Sequence, residues 1–343
     1  MTGTLSSHTA EATTPFELSA LFEPVATEFK QVEESLRSNL VDDSPFVATL
    51  LSQVFSTGGK RIRPGLVLLS SGATLGAGAK FTQNHIILAV LTELIHTASL
   101  VHDDVIDKAS VRRGQETVNR RWNDKLAVLV GDLLFAQASI CLARLQNPAI
   151  VGIYGQVLGD LCAGEIKQMN QQFVCQVNWQ AYMQKSICKT ASLFSAGCHS
   201  GPILNLAPAE TVEAMRQYGT NLGICFQIVD DLLDVTSSES TLGKPAGSDL
   251  AQGILTAPAL FVLQQNNAAS RELETLIKTR AVSQPGGAAV ALSIIKDNGG
   301  VEQTVKLARN YASKSKDALK LLTASPYKDS LASMIDLLLE RTH

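Results

Sequence analysis

From Pro24 onward, apolar residues return every three or four positions. Val25, Phe29, Val32, Leu36 and Leu40 make one stripe, and Val301, Val305, Ala308 and Ala312 make another near the C-terminus. That period marks helices with one buried face. Pro24 suits a first turn, where its missing N–H costs nothing. A further helical pattern opens at Leu66, and breaks at Gly72-Ala73-Thr74, Ser237 to Gly247, Ser283 to Gly287 and Asn298-Gly299-Gly300 separate the successive stripes. No segment alternates apolar and polar residues as a half-buried strand does, and no fixed-period repeat recurs. The pattern predicts an all-α fold in one domain, residues 16–343. A tail over 1–15, rich in Ser, Thr and Ala and without periodicity, precedes it.

Two of the apolar helical runs, Leu94 to Val101 and Leu222 to Val229, end in acid. Asp103-Asp104-Val105-Ile106-Asp107 follows the first, and Asp230-Asp231-Leu232-Leu233-Asp234, with identical spacing, follows the second. One such cluster alone is commonly a solvated face. Two of them, each at the end of a hydrophobic run, are expected to project converging carboxylates to one side of their helices. Those carboxylates repel one another unless a cation joins them, and small groups of hard oxygen donors suit magnesium carried with phosphate oxygens. Basic residues stand at defined places around the clusters: Lys60, Arg61 and Arg63 after a glycine pair, Arg112-Arg113-Gly114 behind the first cluster, then Lys189-Thr190 and Lys244. Any one of them is more commonly a surface charge, but guanidinium forks and ammonium groups are also what holds a diphosphate.

Composition narrows the setting. The chain has 343 residues, 45% of them hydrophobic, and a formal charge of −3, enough for a large core and no invitation to nucleic acid. Its six cysteines, at 141, 162, 175, 188, 198 and 225, form no close pair or metal-ligand spacing and read as reduced core residues. Glu93, His96, Asp132 and Gln137 interrupt the longest apolar runs, so no membrane-spanning segment is expected, and at most peripheral membrane contact. No Lys or Arg precedes Lys30, and Glu11 lies within the leading segment, unlike a transit peptide; the expected location is cytoplasmic.

Taken together, these segments resemble the trans-isoprenyl diphosphate synthases, or polyprenyl synthetases. The resemblance runs over nearly the whole chain: residues 58–64, both aspartate motifs, Arg112-Arg113-Gly114, Gly164-Glu165-Ile166, Lys189-Thr190-Ala191, Phe226-Gln227-Ile228-Val229 and Gly243-Lys244-Pro245. The stretches 95–102 and 243–250 look most like long-chain enzymes of the cyanobacterial and plastid solanesyl type. The resemblance implies a bundle of long helices around a central cavity, the isoprenoid synthase fold, commonly a homodimer. It implies Mg2+ on Asp103, Asp107 and Asp230, with Asp104, Asp231 and Asp234 supporting. Arg112, Lys189, Thr190, Gln227 and Lys244 are then expected to contact an allylic diphosphate, and Lys60, Arg63, His96 and Arg113 isopentenyl diphosphate. A lone His on an apolar face is usually a satisfied core residue; His96 draws its role from standing seven residues before Asp103.

Product length is expected to depend on the residues beneath the first motif. Ala98 and Ser99 lie roughly 6 to 7.5 Å below Asp103 at a rise of about 1.5 Å per residue, and both are small where short-chain relatives carry an aromatic. Phe135 is a candidate for a deeper floor, or else ordinary core packing. The implied activity is condensation of isopentenyl and allylic diphosphates into an octaprenyl to decaprenyl diphosphate, solanesyl favoured, for a prenylquinone side chain. A geranylgeranyl synthase and a non-catalytic partner subunit are the alternatives. Ile254, where the family generally has Asn or Lys, is the sequence feature that favours the latter. Glu116, where Pro is common, is expected to alter only a turn.

Overall fold

The computed structural model describes residues 20–38, 44–56, 59–237 and 246–340; the tail expected over 1–15 and Lys244 lie outside them. A 3-10 turn at Glu23–Val25, opened by Pro24, leads into α1 (Ala26–Ser38), α2 (Pro45–Ser56), α3 (Ile62–Ala73) and α4 (Gln83–Ile106). After α4 come a hairpin, β1 (Val111–Arg112) with β2 (Gln115–Glu116), and the short α5 (Val118–Arg121). Then follow α6 (Asp124–Leu145), α7 (Pro148–Asn170), α8 (Trp179–Ser186), a π-helical segment (Ile187–Ala191), α9 (Ser192–Leu204) and α10 (Ala209–Thr236). The remaining helices are α11 (Ser248–Ala251), α12 (Ala257–Leu263), α13 (Ala268–Lys278), α14 (Gly287–Asp297), α15 (Gly300–Ala318) and α16 (Pro326–Glu340).

The all-α expectation holds. Among the described residues the extended structure is the two-residue hairpin, too short to show as an alternating pattern. Local chemistry sets the helix starts: the side chains of Asn123 and Asn147 accept from backbone N–H groups in the first turns of α6 and α7, and Pro148 opens α7.

At about 1.5 Å per residue, the 24 residues of α4 and the 28 of α10 extend about 36 and 42 Å. Helix α4 packs against α6 on one side and α3 and α9 on the other; α10 lies between α9 and α15. The main hydrophobic core fills the space among these long helices, and a smaller cluster joins the end of α10 to α11–α14. Two glycines set how closely the π segment docks. A Cβ on Gly223 would sit 2.5 Å from Ala191 Cα, and one on Gly164 would sit 3.0 Å from Cys188 Cβ. Only bare backbone at these positions of α7 and α10 lets Lys189 and Thr190 come between them.

Among the described residues three helices, α4, α6 and α7, are long and apolar enough to cross a membrane by length and composition alone, which the interrupted runs did not reveal. A single Glu or Asp within some twenty residues lowers mean hydropathy too little to exclude a span. The apolar window of α4 is 72% buried within the bundle, against 33% and 28% for α6 and α7. Val128, Leu129, Ile140, Val151, Ile166 and Met169 accordingly stand exposed on α6 and α7.

Candidate active site

Both acid clusters occupy the last turns of their helices, α4 and α10, where the helix dipole is negative. Carboxylates there are repelled by their own backbone and need cations. Spacing suggested that each cluster would aim all three side chains one way. The structure divides them: Asp103 and Asp107, four apart, share one side of α4, whereas in the second cluster it is Asp231 and Asp234, three apart, that share the buried side of α10.

Asp103 is half-buried, Asp107 exposed, and between them Asp104 turns away, 6% exposed, to accept from Arg112 through Nε at 2.8 Å and Nη2 at 2.7 Å. In the second cluster Asp230 is exposed while Asp231 and Asp234 are buried. Asp231 accepts from Tyr182 Oη at 2.7 Å, Gln227 Nε2 at 2.8 Å and Ala257 N at 3.3 Å. Asp234 accepts from Ser248 Oγ at 3.0 Å and Asp249 N at 3.3 Å, fastening α10 to α11. Asp104, Asp231 and Asp234 thus anchor the site, and Asp103, Asp107 and Asp230 are the carboxylates presented outward.

Lys189 crosses from the π segment to Glu165 of α7, Nζ to Oε2 2.6 Å, and Gln168 Nε2 donates to the other oxygen of Glu165 at 3.1 Å. Burial works against the Lys189 ammonium, but Asp103, Glu165 and Asp107 outweigh it and raise its pKa. Burial pushes Asp103 up to about 6, with Lys189 opposing and Glu165 and Asp107 adding to it. This crowded acid set fits a divalent cation: the donors are hard oxygens, and their mutual repulsion is what a bound metal removes. Among the described residues no three His, Cys, Asp or Glu side chains close on one point, so phosphate oxygens and water would have to complete the shell, as magnesium usually accepts. On the second cluster, Thr190 Oγ1 donates to Gln227 Oε1 at 2.5 Å, fixing the amide that holds Asp231.

A basic pocket of about 50 Å³ lies on the other side of α4, lined by Arg61, Glu93, His96, Asp104, Arg112 and Arg113 among others. Buried Glu93 pairs with Arg61, and Arg63 Nη1 donates to His96 Nε2 at 2.9 Å. Burial holds His96 well below its ordinary pKa, and Arg63, Arg113, Arg112 and Arg61 push the same way, so it is a neutral acceptor. Burial lowers Arg63 to about 10; its guanidinium lies 4.8 Å over the Phe194 ring, and its Nε is buried without a partner. Gly59 leaves room for Arg113, whose Nη1 would lie 2.7 Å from a Cβ there. Asp230 is near enough to act on the Arg63 charge, which links this pocket to the second acid cluster. Lys60 is exposed.

Beneath the first motif Ala98 is fully buried, while Ser99 is half-buried and donates to His96 O at 2.9 Å. Phe135 does not lie deep: its ring packs 5.6 Å from His102, level with Asp103. The deep layer is instead Thr92, whose Oγ1 lies 2.5 Å from Oη of the fully buried Tyr154 on α7. Motif and spacing assign no role to Glu93, Tyr182, Glu165 or Tyr154. Two of them give a signal in the sequence: Glu93 as a charge inside an apolar helical run, and Glu165 as part of the Gly164-Glu165-Ile166 segment.

Residues 44–294 match the polyprenyl synthetase family. The chain is 41% identical over 333 residues to "Solanesyl diphosphate synthase 2, chloroplastic" of Arabidopsis thaliana, covering 96% of this chain and 79% of that one. It superimposes on a decaprenyl diphosphate synthase from Rhodobacter capsulatus with a TM-score of 0.87 and 31% identity, over 95% of this chain and 99% of that one. For a polyprenyl synthase from Caulobacter crescentus, complexed with calcium and isoprenyl diphosphate, the TM-score is 0.88 at 28% identity, covering 98% and 100%.

Proposed function

The chain belongs to the polyprenyl synthetase family, and from that premise we propose that it uses Mg2+ to condense isopentenyl diphosphate with an allylic diphosphate into an all-trans product of octaprenyl to decaprenyl length, solanesyl favoured. The observation that carries this reading is the pairing of an outward-facing acid set, Asp103, Asp107 and Asp230, with small side chains one turn beneath it at Ala98 and Ser99. Similarity to solanesyl and decaprenyl diphosphate synthases supports the long product. A prenylquinone side chain is the proposed end use.

Asp103, Asp107 and Asp230 would hold the metal. When bound, it supplies the charge stabilisation that a departing diphosphate requires. Lys189 and Arg112 stand where they can share that charge on the allylic side, with Thr190 and Gln227 keeping the second cluster in register and Lys244 as a further contact. Arg63, Arg113, Lys60 and neutral His96 would orient isopentenyl diphosphate. A cation as buried as Arg63, with one N–H unanswered, is one that a diphosphate oxygen satisfies. The isopentenyl double bond then attacks the allylic carbon as its bond to diphosphate breaks, and the released diphosphate takes a proton from the resulting cation, restoring an allylic double bond in the added unit. No covalent nucleophile is needed.

The apolar face of α6 and α7 supports a homodimer paired through those helices, since exposed patches of this kind mark interaction surfaces. Six free cysteines support a reducing, cytoplasm-like location. The activity is tested by incorporation of labelled isopentenyl diphosphate with and without Mg2+: Asp103→Asn and Asp230→Asn are each expected to lower turnover by at least a hundredfold, and an unchanged rate in either would refute the metal assignment.

A further inference from the structure

Lys185 ends α8 one turn before Lys189, so the two ammonium groups lie along nearly the same face of that chain, separated by the π-helical turn. Their surroundings differ. Lys189 is answered by Glu165 at 2.6 Å. Lys185 is half-buried and in no ion pair among the described residues; its Nζ rests 5.5 Å from the Tyr182 ring, whose hydroxyl donates to buried Asp231. The nearest carboxylate acting on it, Asp231, already accepts from Tyr182, Gln227 and Ala257 N and makes no direct ion pair with it, so the hydration this half-buried ammonium loses is not replaced by a bonded partner.

It faces a pocket of about 90 Å³ whose other polar side chains are Tyr182 and the amides Gln168, Gln171, Gln176 and Asn178. Ile254 and Leu255 wall the pocket elsewhere and offer no side-chain donor. An ammonium among carboxamides, with no carboxylate lining the space, is the chemistry of an anion subsite. The volume is far below the roughly 300 Å³ at which small-molecule sites begin, so a hydrocarbon tail does not fit, while a few phosphoryl oxygens do. Asp231, one residue from outward-facing Asp230, connects the pocket to the second acid cluster.

We propose that Lys185 is a further binding residue for the allylic diphosphate: its flexible stem carries the ammonium from the Tyr182 ring to a phosphoryl oxygen in the pocket that Ile254 also lines. This assignment rests on the prenyl diphosphate synthase reading. The direct test is calorimetric binding of inorganic diphosphate with Mg2+ to the full chain. Lys185→Gln is expected to bind about tenfold more weakly, which is about 1.4 kcal/mol, and Lys185→Arg within threefold of wild type. Adding Ile254→Lys to Lys185→Gln returns an ammonium to the same pocket and is expected to recover most of the loss. In steady state, Lys185→Gln is expected to raise KM for the allylic substrate and leave KM for isopentenyl diphosphate unchanged.

Equal binding by wild type and Lys185→Gln overturns the proposal, as does a double variant no better than the single one, or a rise in both KM values together. Ile254→Lys alone, expected to tighten diphosphate binding severalfold, tests the same pocket if Lys185→Gln does not fold. Wild-type elongation, measured alongside, keeps the two readings apart: failure to elongate with Lys185-dependent diphosphate binding intact would break the activity reading and leave this one standing.

Discussion

Replacing Ser99 with phenylalanine is expected to convert a long-chain product into a short one without unfolding the protein. Ser99 shares a helical face with Asp103, four residues on, and is only half-buried; its hydroxyl satisfies a carbonyl of its own helix and holds no neighbour in place. At about 1.5 Å per residue it lies about 6 Å beneath the metal motif. A five-carbon unit contributes four chain carbons, about 5 Å when extended at ordinary bond lengths. An aromatic ring at that depth leaves room for one or two units below the diphosphate, so elongation is expected to stop at geranyl, with farnesyl as the upper bound. Ala98 makes the contrast. It is fully buried, and a ring there must be accommodated by close-packed neighbours, at a cost of about 1 to 3 kcal/mol or more. Chromatography of dephosphorylated products together with thermal melts separates the two effects. A Ser99→Phe enzyme that still makes octaprenyl or longer products would refute the reasoning that the tail descends along this face of α4.

A straight path along α4 meets the Thr92–Tyr154 pair eleven residues below Asp103, about 16.5 Å down, which accommodates about three extended units; longer tails must turn there, and Tyr154→Ala is expected to shift products upward in chromatograms at a stability cost of about 3 to 5 kcal/mol by denaturant titration. Glu93→Gln leaves the Arg61 guanidinium buried without its counter-ion and is expected to destabilise by about 3 to 5 kcal/mol in the same titration. The metal-free Asp103 carboxyl is held protonated up to about pH 6 rather than releasing its proton near the usual carboxylate value. Lowering the pH from 7 to 5 therefore protonates it and weakens Mg2+ binding, with proton uptake on metal release visible by calorimetry, while burial and the neighbouring arginines oppose charging of His96.

The helical period, the breaks and the two acid motifs are local properties, and the sequence shows them directly. What lies across a helix from a given residue is not local. Asp103, Asp104 and Asp107 read as one cluster until the 100° step between neighbours and the position of Arg112 divide them. Phe135 has the right size for a tunnel floor, but α6 packs so that its ring meets His102, and the deep layer falls to Tyr154 of α7. Tyr182 and Lys185 carried no motif because their roles depend on the π-helical turn, which Gly164 and Gly223 allow by what they lack. The apolar faces of α6 and α7 were hidden by single charged residues that break a run of letters without making a helix polar.

The account is tested most directly by incubating the protein with Mg2+, labelled isopentenyl diphosphate and farnesyl or geranylgeranyl diphosphate, then separating the dephosphorylated products by length. It predicts Mg2+-dependent products of octaprenyl size or longer. A stop at geranylgeranyl would contradict the long-chain reading, and no elongation from folded protein with either primer would contradict the catalytic reading itself.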